Sequence, residues 1–253
     1  MTLSSLTLIN QSFTNGHALD VGISHALLNA VAQRRIGPVF RIHQTKPVLA
    51  FGMADRLQRG YPAAVRVADA HGFEPVERLA GGRAAVFHEG TLAFSWASAQ
   101  DEPRAGITER FELISGLLCD AFRALGVDAR IGKIPGEYCP GRYSISVGGS
   151  TKVMGVGQRL VRGAAHIGGV IVVDGSERIR DVLIPVYRAL EMDWDPRTTG
   201  ALSDRALHVD LDNVTAAVTK QLARHFEVEF GSLPTDIVAD AKVLSDDHVP
   251  RVA

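Results

Sequence analysis

Cysteine and lysine are both scarce in this chain. Cysteine occurs twice in 253 residues, at Cys119 and Cys139. That excludes a disulfide framework and a four-cysteine zinc site. Lysine stands only at Lys46, Lys133, Lys152, Lys220 and Lys242, so arginine supplies the other 22 of 27 basic residues. In so arginine-rich a chain a single arginine says little about phosphate binding, whereas a lysine in an unusual place says more. Charge of one sign is also missing: Lys+Arg is 27, Asp+Glu is 28 and the net charge is −1. This excludes a general nucleic-acid coat and a polybasic membrane binder. The longest apolar stretch, Ile167–Val173, is strand-sized and far short of a membrane span. The first ten residues lack the basic and apolar regions of a signal peptide. A cytoplasmic protein without membrane or nucleic-acid partners is therefore expected. No His/Cys/Asp/Glu spacing supports a metal site, so no metal is expected.

What is present is ordinary globular composition, 46% hydrophobic and 22% charged. The residues of 18–32 repeat their apolar positions at helical spacing, and Gly37-Pro38 stops that helix. Val39–His43 and Val48–Met53 read as strands around a Lys46-Pro47 turn, and Pro62 opens a short helix ending near His71. Val76–Leu79, Ala84–His88 and Thr91–Ser98 read as strands. Ile107, Phe111, Ile114, Leu118, Phe122 and Leu125 form one helical stripe. Val127–Ile131, Tyr143–Val147, Lys152–Arg162 and Ala165–Val173 read as further strands, the last three joined by glycine turns. Ser176–Leu190, Val209–Phe226 and Asp236–Leu244 read as helices. Hairpins with interspersed helices predict an α+β fold rather than a doubly wound parallel sheet. The expected organisation is a main domain over residues 1–200, with 201–253 a short helical extension packed on it.

Three glycine-rich stretches stand out: Arg78–Gly90, Gly136–Arg142 and Lys152–Arg159. None fits the phosphate loop or the dinucleotide-binding pattern. Glycines at strand edges permit close approach of a ligand or another backbone, though turns and bulges explain each stretch better when it is taken alone. Together with Gly16–Asn29, Pro47-Val-Leu-Ala-Phe-Gly and Thr91-Leu-Ala-Phe-Ser95, their order and spacing are more specific. Over about residues 15–190 the chain resembles the lipoate–protein ligase A and lipoyl/octanoyl transferase family. The resemblance implies a mixed, mostly antiparallel sheet with flanking helices, the catalytic fold of biotin and lipoate protein ligases, which is class II synthetase-like. Glu137-Tyr-Cys-Pro-Gly-Arg-Tyr-Ser-Ile-Ser-Val resembles the cysteine loop of the branch that transfers octanoyl groups from the glycine cleavage H protein. There are departures: His88 stands where that branch has an acidic residue, Arg83 replaces a glycine common in ligases, and His166-Ile-Gly-Gly resembles a ligase segment.

The resemblance implies an acyltransferase of protein lipoylation that needs no cofactor. Cys139, in a proline- and glycine-bounded loop, is the expected nucleophile, with Arg142 and Lys152 nearby to favour its thiolate. Lys152 matches the family lysine and is expected to hydrogen-bond the acyl carbonyl. Gly81, Gly82, Gly155 and Gly157 would admit the acyl chain, whose burial at about 0.8 kcal/mol per methylene gives about 5–6 kcal/mol. Arg78 is a candidate for a carboxylate or phosphate, or for a structural ion pair; His88 and His166 are candidate proton shuttles or core histidines. Cys119, on the long helical stripe, is expected to be structural. The implied partners are the lipoyl domains of 2-oxoacid dehydrogenase E2 subunits as acceptors. The implied donor is the glycine cleavage H protein or acyl carrier protein. Two other readings stay open: an ATP- and magnesium-dependent lipoate ligase, and a non-catalytic acyl-binding relative.

Overall fold

The computed structural model describes residues 3–12, 17–206 and 208–252. The chain runs through β1 (Ser4–Ile9), α1 (His17–Ala32), β2 (Val39–Gln44), β3 (Val48–Phe51), α2 (Met53–Arg56), α3 (Tyr61–Ala70), β4 (Glu74–Glu77), β5 (Ala85–Phe87) and β6 (Thr91–Ala99). It continues through α4 (Ile107–Ala124), β7 (Ala129–Ile131), β8 (Ile145–Val147), β9 (Thr151–Val161), β10 (Ala164–Val172), α5 (Ser176–Ala189), α6 (Leu211–His225), β11 (Phe226–Gly231) and α7 (Thr235–Leu244). Eight strands form one sheet in the order β11-β1-β2-β6-β10-β9-β8-β7, and β4-β3-β5 form a second. The large sheet is parallel at β11-β1-β2 and antiparallel from β2 to β7. This is the expected mixed, mostly antiparallel α+β architecture.

The period-two alternation of the central strands divides the large sheet into two unlike faces. Phe40, Ile42, Leu92, Phe94, Trp96, Ile167 and Ile171 pack with Ile114, Leu118 and Phe122 of α4 and Val214, Val218 and Leu222 of α6. The intervening positions, Arg41, His43, Ala93, Ser95, His166 and Gly168, are small or polar. Their face lies towards α1 and the small sheet, which with it enclose a cavity. Behind the small sheet, Leu49 and Phe51 pack with Tyr61, Val65, Ile179 and Val186 of α3 and α5.

Several expected elements shift. Lys46-Pro47 does not close a hairpin: β2 joins the large sheet and β3 the small one, so the turn carries the chain between sheets. The α4 stripe is buried at its centre, but Ile107 at its start is 38% exposed, because the sheet covers only the middle turns. Residues 201–253, expected as a helical extension, supply a strand as well as helices. Phe226-Glu-Val-Glu-Phe alternates apolar and acidic residues, and β11 pairs in parallel with β1 at the edge of the large sheet. Val214, Val218 and Leu222 enter the main core, and Ile237 and Ala241 of α7 pack on Ile23 and Leu27 of α1.

Candidate functional site

A bulge builds the site. Ser146 pairs with Lys152 while Ile145 pairs with Met154, so Val153 is an extra residue in β9. The irregularity turns Lys152 onto the same side as Gly155, where an added Cβ would come within 3.2 Å of the lysine Cε. Lys152 is 1% exposed. Its ammonium meets three acceptors: the carbonyl of Tyr138 at 2.9 Å, that of Cys139 at 2.7 Å and Glu137 Oε2 at 2.8 Å. Glu137 is itself buried and accepts from Ser144 Oγ at 2.7 Å, Ile134 N at 3.1 Å and Gly141 N at 3.3 Å. A buried ion pair persists when its remaining lone pairs and protons are satisfied, as here.

The loop so fastened presents Cys139, half-buried, at φ +42. A non-glycine residue in the left-handed region costs about 1–2 kcal/mol and needs neighbours that enforce it. Tyr187 of α5 is one: its hydroxyl accepts from Cys139 N at 2.9 Å and donates to the Ala84 carbonyl at 3.1 Å. Burial pushes the Tyr187 phenol well above its ordinary range, so the hydroxyl keeps its proton. Two N–H donors converge on the sulfur, Arg83 N at 3.1 Å and Arg78 Nη1 at 3.7 Å. Gly82 makes this approach possible. It sits at φ +126, and a Cβ there would lie 2.8 Å from Arg78 Nη1 and 3.0 Å from the sulfur.

The structure therefore brings Cys139, Lys152, Arg78, Gly82 and Gly155 together. The cation beside the sulfur is Arg78; Arg142 is exposed. Gly157 packs against the Ala80-Gly81 segment, a Cβ there falling 2.6 Å from the Gly81 carbonyl, and Gly81 is exposed. His166 lines the cavity, its ring lying over Gly168. Burial and the nearby Arg78 charge push its imidazole down to about 4, so it is neutral near pH 7. His88 lies apart in the turn before β6, its Nδ1 accepting from Gly90 N at 3.0 Å. Cys119 is buried on α4 and its thiol faces the Ala129 carbonyl at 3.3 Å. Sequence reasoning did not single out Glu137 or Tyr187. An acidic residue two positions before a loop cysteine, with an uncommon lysine downstream, is the signal for Glu137. Tyr187 falls within a helical stripe and carries no signal of its own.

The head of the cavity, beside Cys139 and Lys152, is walled by Ala85, Phe87, Val156 and Val170. Arg78, Phe87 and Gly169 also line the main chamber, so the two spaces adjoin at these residues. Val21, Val48, Val76 and Leu79 make that chamber apolar on the α1 and small-sheet side. Among the described residues no group of three or more His, Cys, Asp or Glu side chains is placed to hold a metal ion. Nor is any described helix long and apolar enough to cross a membrane.

The class so defined is an α+β domain whose mixed sheet holds a strained cysteine at the head of an apolar cavity. The chain belongs to the lipoyl protein ligase A/B catalytic domain family, whose model matches residues 18–222. It is 30% identical over 162 residues to an octanoyl-GcvH:protein N-octanoyltransferase of Geobacillus kaustophilus, covering 64% of this chain and 57% of that one. It is 32% identical over 150 residues to a protein of the same name from Exiguobacterium sibiricum, covering 58% and 53%. The match thus spans little more than half the length of these curated relatives. The fold is similar to that of the bi-partite lipoate protein ligase of Thermoplasma acidophilum. The TM-score is 0.72 at 19% identity, over 97% of this chain and 93% of that one.

Proposed function

We propose that the chain is an acyltransferase of protein lipoylation, moving an octanoyl or lipoyl group through a thioester on Cys139 to the lysine of a lipoyl domain. The observation that carries this reading is Cys139 itself. It is a half-buried cysteine held at positive φ at the mouth of an apolar cavity, with N–H donors of Arg83 and Arg78 directed at its sulfur. The proposed donor is the glycine cleavage H protein carrying the acyl group as a lysine amide, with acyl carrier protein as a second donor to test. The proposed acceptors are lipoyl domains of 2-oxoacid dehydrogenase E2 subunits. Free thiols at Cys119 and Cys139 fit a cytoplasmic setting.

In the first step the sulfur attacks the acyl carbonyl, a C–S bond forms, and the C–N bond to the donor lysine breaks. The departing amine takes the thiol proton. In the second step the acceptor lysine attacks the thioester, the C–S bond breaks, and the sulfur regains a proton. No adenylate forms, so neither ATP nor magnesium enters. Lys152 acts first as a positioning residue, because its three N–H donors are committed to the cysteine loop. Its bond to the Cys139 carbonyl is the one it can exchange for an acyl oxygen at the cavity head.

The test is intact-mass measurement after incubation with octanoylated H protein or acyl carrier protein, without ATP. The expected product is a hydroxylamine-labile octanoyl adduct that Cys139→Ala does not form. Pyrophosphate exchange with free lipoate that survives Cys139→Ala would replace this reading with a ligase. Inactivity with every donor would leave an acyl-binding relative.

A further inference from the structure

The transfer proposed above sets a distance. A lysine side chain reaches about 6 Å from its Cα to its Nζ, so a protein that offers an acyl-lysine to Cys139 must bring its own surface almost onto the sulfur. A protein interface covers about 800 Å² on each partner, a patch about 30 Å across. Whatever lies exposed around the sulfur is then part of the contact. Three segments meet there: the cysteine loop 133–142, the segment 78–83, and α2 with the turn after it, 53–59. Arg83 ties them together. Its N–H meets the sulfur at 3.1 Å, and its guanidinium donates to the Ala54 carbonyl at 2.9 Å and faces Asp55 Oδ1 at 3.3 Å. The reach of an arginine side chain places Ala54 within about 15 Å of the sulfur. Gly52, just before α2, packs directly on the Gly82 carbonyl.

These segments share two surface properties. The first is exposed apolar area. Met53 is 61% and Leu57 80% exposed, and their i, i+4 spacing puts both on one face of α2. Scattered single apolar side chains are ordinary on a surface, but a pair beside a reactive atom marks a contact face. The second is charge of one sign. Arg56, Arg59, Lys133 and Arg142 are exposed and Arg83 is half-buried, whereas the acids of the three segments, Asp55 and Glu137, are buried. Asp55 accepts from Gly52 N at 2.8 Å and faces Arg83, and Glu137 holds Lys152. Neighbouring elements add Arg159 and Asp247, which line a cleft with Met53 and Gly81. They also add Glu77, paired with Arg56 at 2.7 Å, and Asp195, which touches Gly136 and is paired with Arg197 at 2.8 Å. In a chain of net charge −1, the surface around the sulfur is thus basic.

We infer that α2 and the cysteine loop form the docking face for the folded domain that carries the acyl-lysine, with Met53 and Leu57 as its apolar centre and the exposed basic side chains around them. The partner so defined presents acidic side chains and an apolar residue beside its modified lysine. This rests on the proposed transferase reading, which supplies a lysine-bearing donor and a lysine-bearing acceptor. The two use the face in turn, since each must bring its lysine to the same sulfur. Charge of opposite sign speeds their encounter and makes it dependent on salt.

The test compares two acyl donors, octanoylated H protein and octanoyl-pantetheine, by the rate at which intact mass shows Cys139 acylated. The small thioester passes its acyl group to the sulfur, pantetheine leaves as the thiol, and no protein surface is needed. Met53→Ser with Leu57→Ser should slow acylation by the H protein about tenfold, and Arg59→Glu should slow it several-fold. Acylation by octanoyl-pantetheine should stay within about twofold of wild type in the same variants. Raising salt from about 50 to about 500 mM should slow the H-protein reaction alone. Variants that react with the H protein at the wild-type rate, or that slow both donors alike, overturn the inference. So does a wild-type dimer in sedimentation that the double serine variant dissolves, since the face then belongs to a second copy. Calorimetry of H-protein binding separates the two readings. Binding that the variants weaken, without acylation of Cys139 by either donor, removes the transferase reading alone. Acylation by both donors with no effect of the variants removes the docking face alone.

Discussion

The two ends of the cavity are built in opposite ways. Around Cys139 the buried polar groups find partners: Lys152 has three acceptors, Glu137 has four donors including Lys152, and the Tyr187 hydroxyl both accepts and donates. At the Asp20–His43 end the carboxylate is anchored, but neither ring nitrogen of the buried His43 has a hydrogen-bond partner. A saturated network fixes geometry before anything binds, which is what a reacting sulfur needs. An unsaturated one leaves buried polar atoms unpaired, at a cost in free energy. The predictions below test the saturated end.

The largest effect belongs to the nucleophile. Cys139→Ser should reduce acyl transfer by at least about 10³-fold while leaving the thermal melt within a few degrees of wild type. Turnover within tenfold of wild type in steady-state assays would break the assignment.

Next comes the Lys152–Glu137 pair. Removing one partner strands a buried charge, which typically costs 3–5 kcal/mol. Lys152→Met should lower the unfolding free energy from urea titration by about that amount, and Lys152→Met with Glu137→Gln should recover much of it without restoring transfer. A single variant as stable as wild type would show that the loop does not depend on the pair.

Much of this was legible in the residues. Cys139 stood out as a loop cysteine, Lys152 as a rare lysine after a glycine turn, and the glycines around Gly82 and Gly155 as sites of close approach. What could not be read was which groups those close approaches join. Gly82 makes room for Arg78 and the sulfur, and Gly157 for the Gly81 carbonyl, contacts between segments about 60 and 75 residues apart in the chain. β11 shows the same limit. Its alternation is visible in Phe226-Glu-Val-Glu-Phe, but its partner β1 lies at the other end of the sequence, so local pattern alone merged its first residue with the preceding helix.

A third effect is pH-dependent. His166 is held neutral in the fold down to about pH 4 and protonates near pH 6.5 once unfolded. Between those values the unfolded chain binds more protons, so stability falls as pH drops from about 6.5 towards 4, by about 3 kcal/mol from this residue. His166→Gln should flatten the decline by about one proton, measured as the slope of unfolding free energy against pH. An unchanged slope would mean that His166 is protonated in the fold.

The smallest effect sharpens the comparison most. Tyr187→Phe deletes one oxygen and leaves the ring, which packs beside Trp194 at a centroid distance of 5.5 Å. The lost hydroxyl strands Cys139 N and the Ala84 carbonyl. Stability should fall by about 1–3 kcal/mol, the cost of leaving buried groups unpaired. A purely structural role would end there. The hydroxyl, however, joins the backbone of the cysteine to the segment whose Arg83 N–H meets the sulfur. Its removal should let Cys139 relax from φ +42 and move the sulfur away from that donor. Alkylation of Cys139 by iodoacetamide should then slow several-fold and change its pH profile, with kcat falling more than KM changes. If the variant loses stability but alkylates with the wild-type rate and pH profile, Tyr187 supports the fold and the saturated end of the cavity owes its geometry to Lys152 and Glu137 alone.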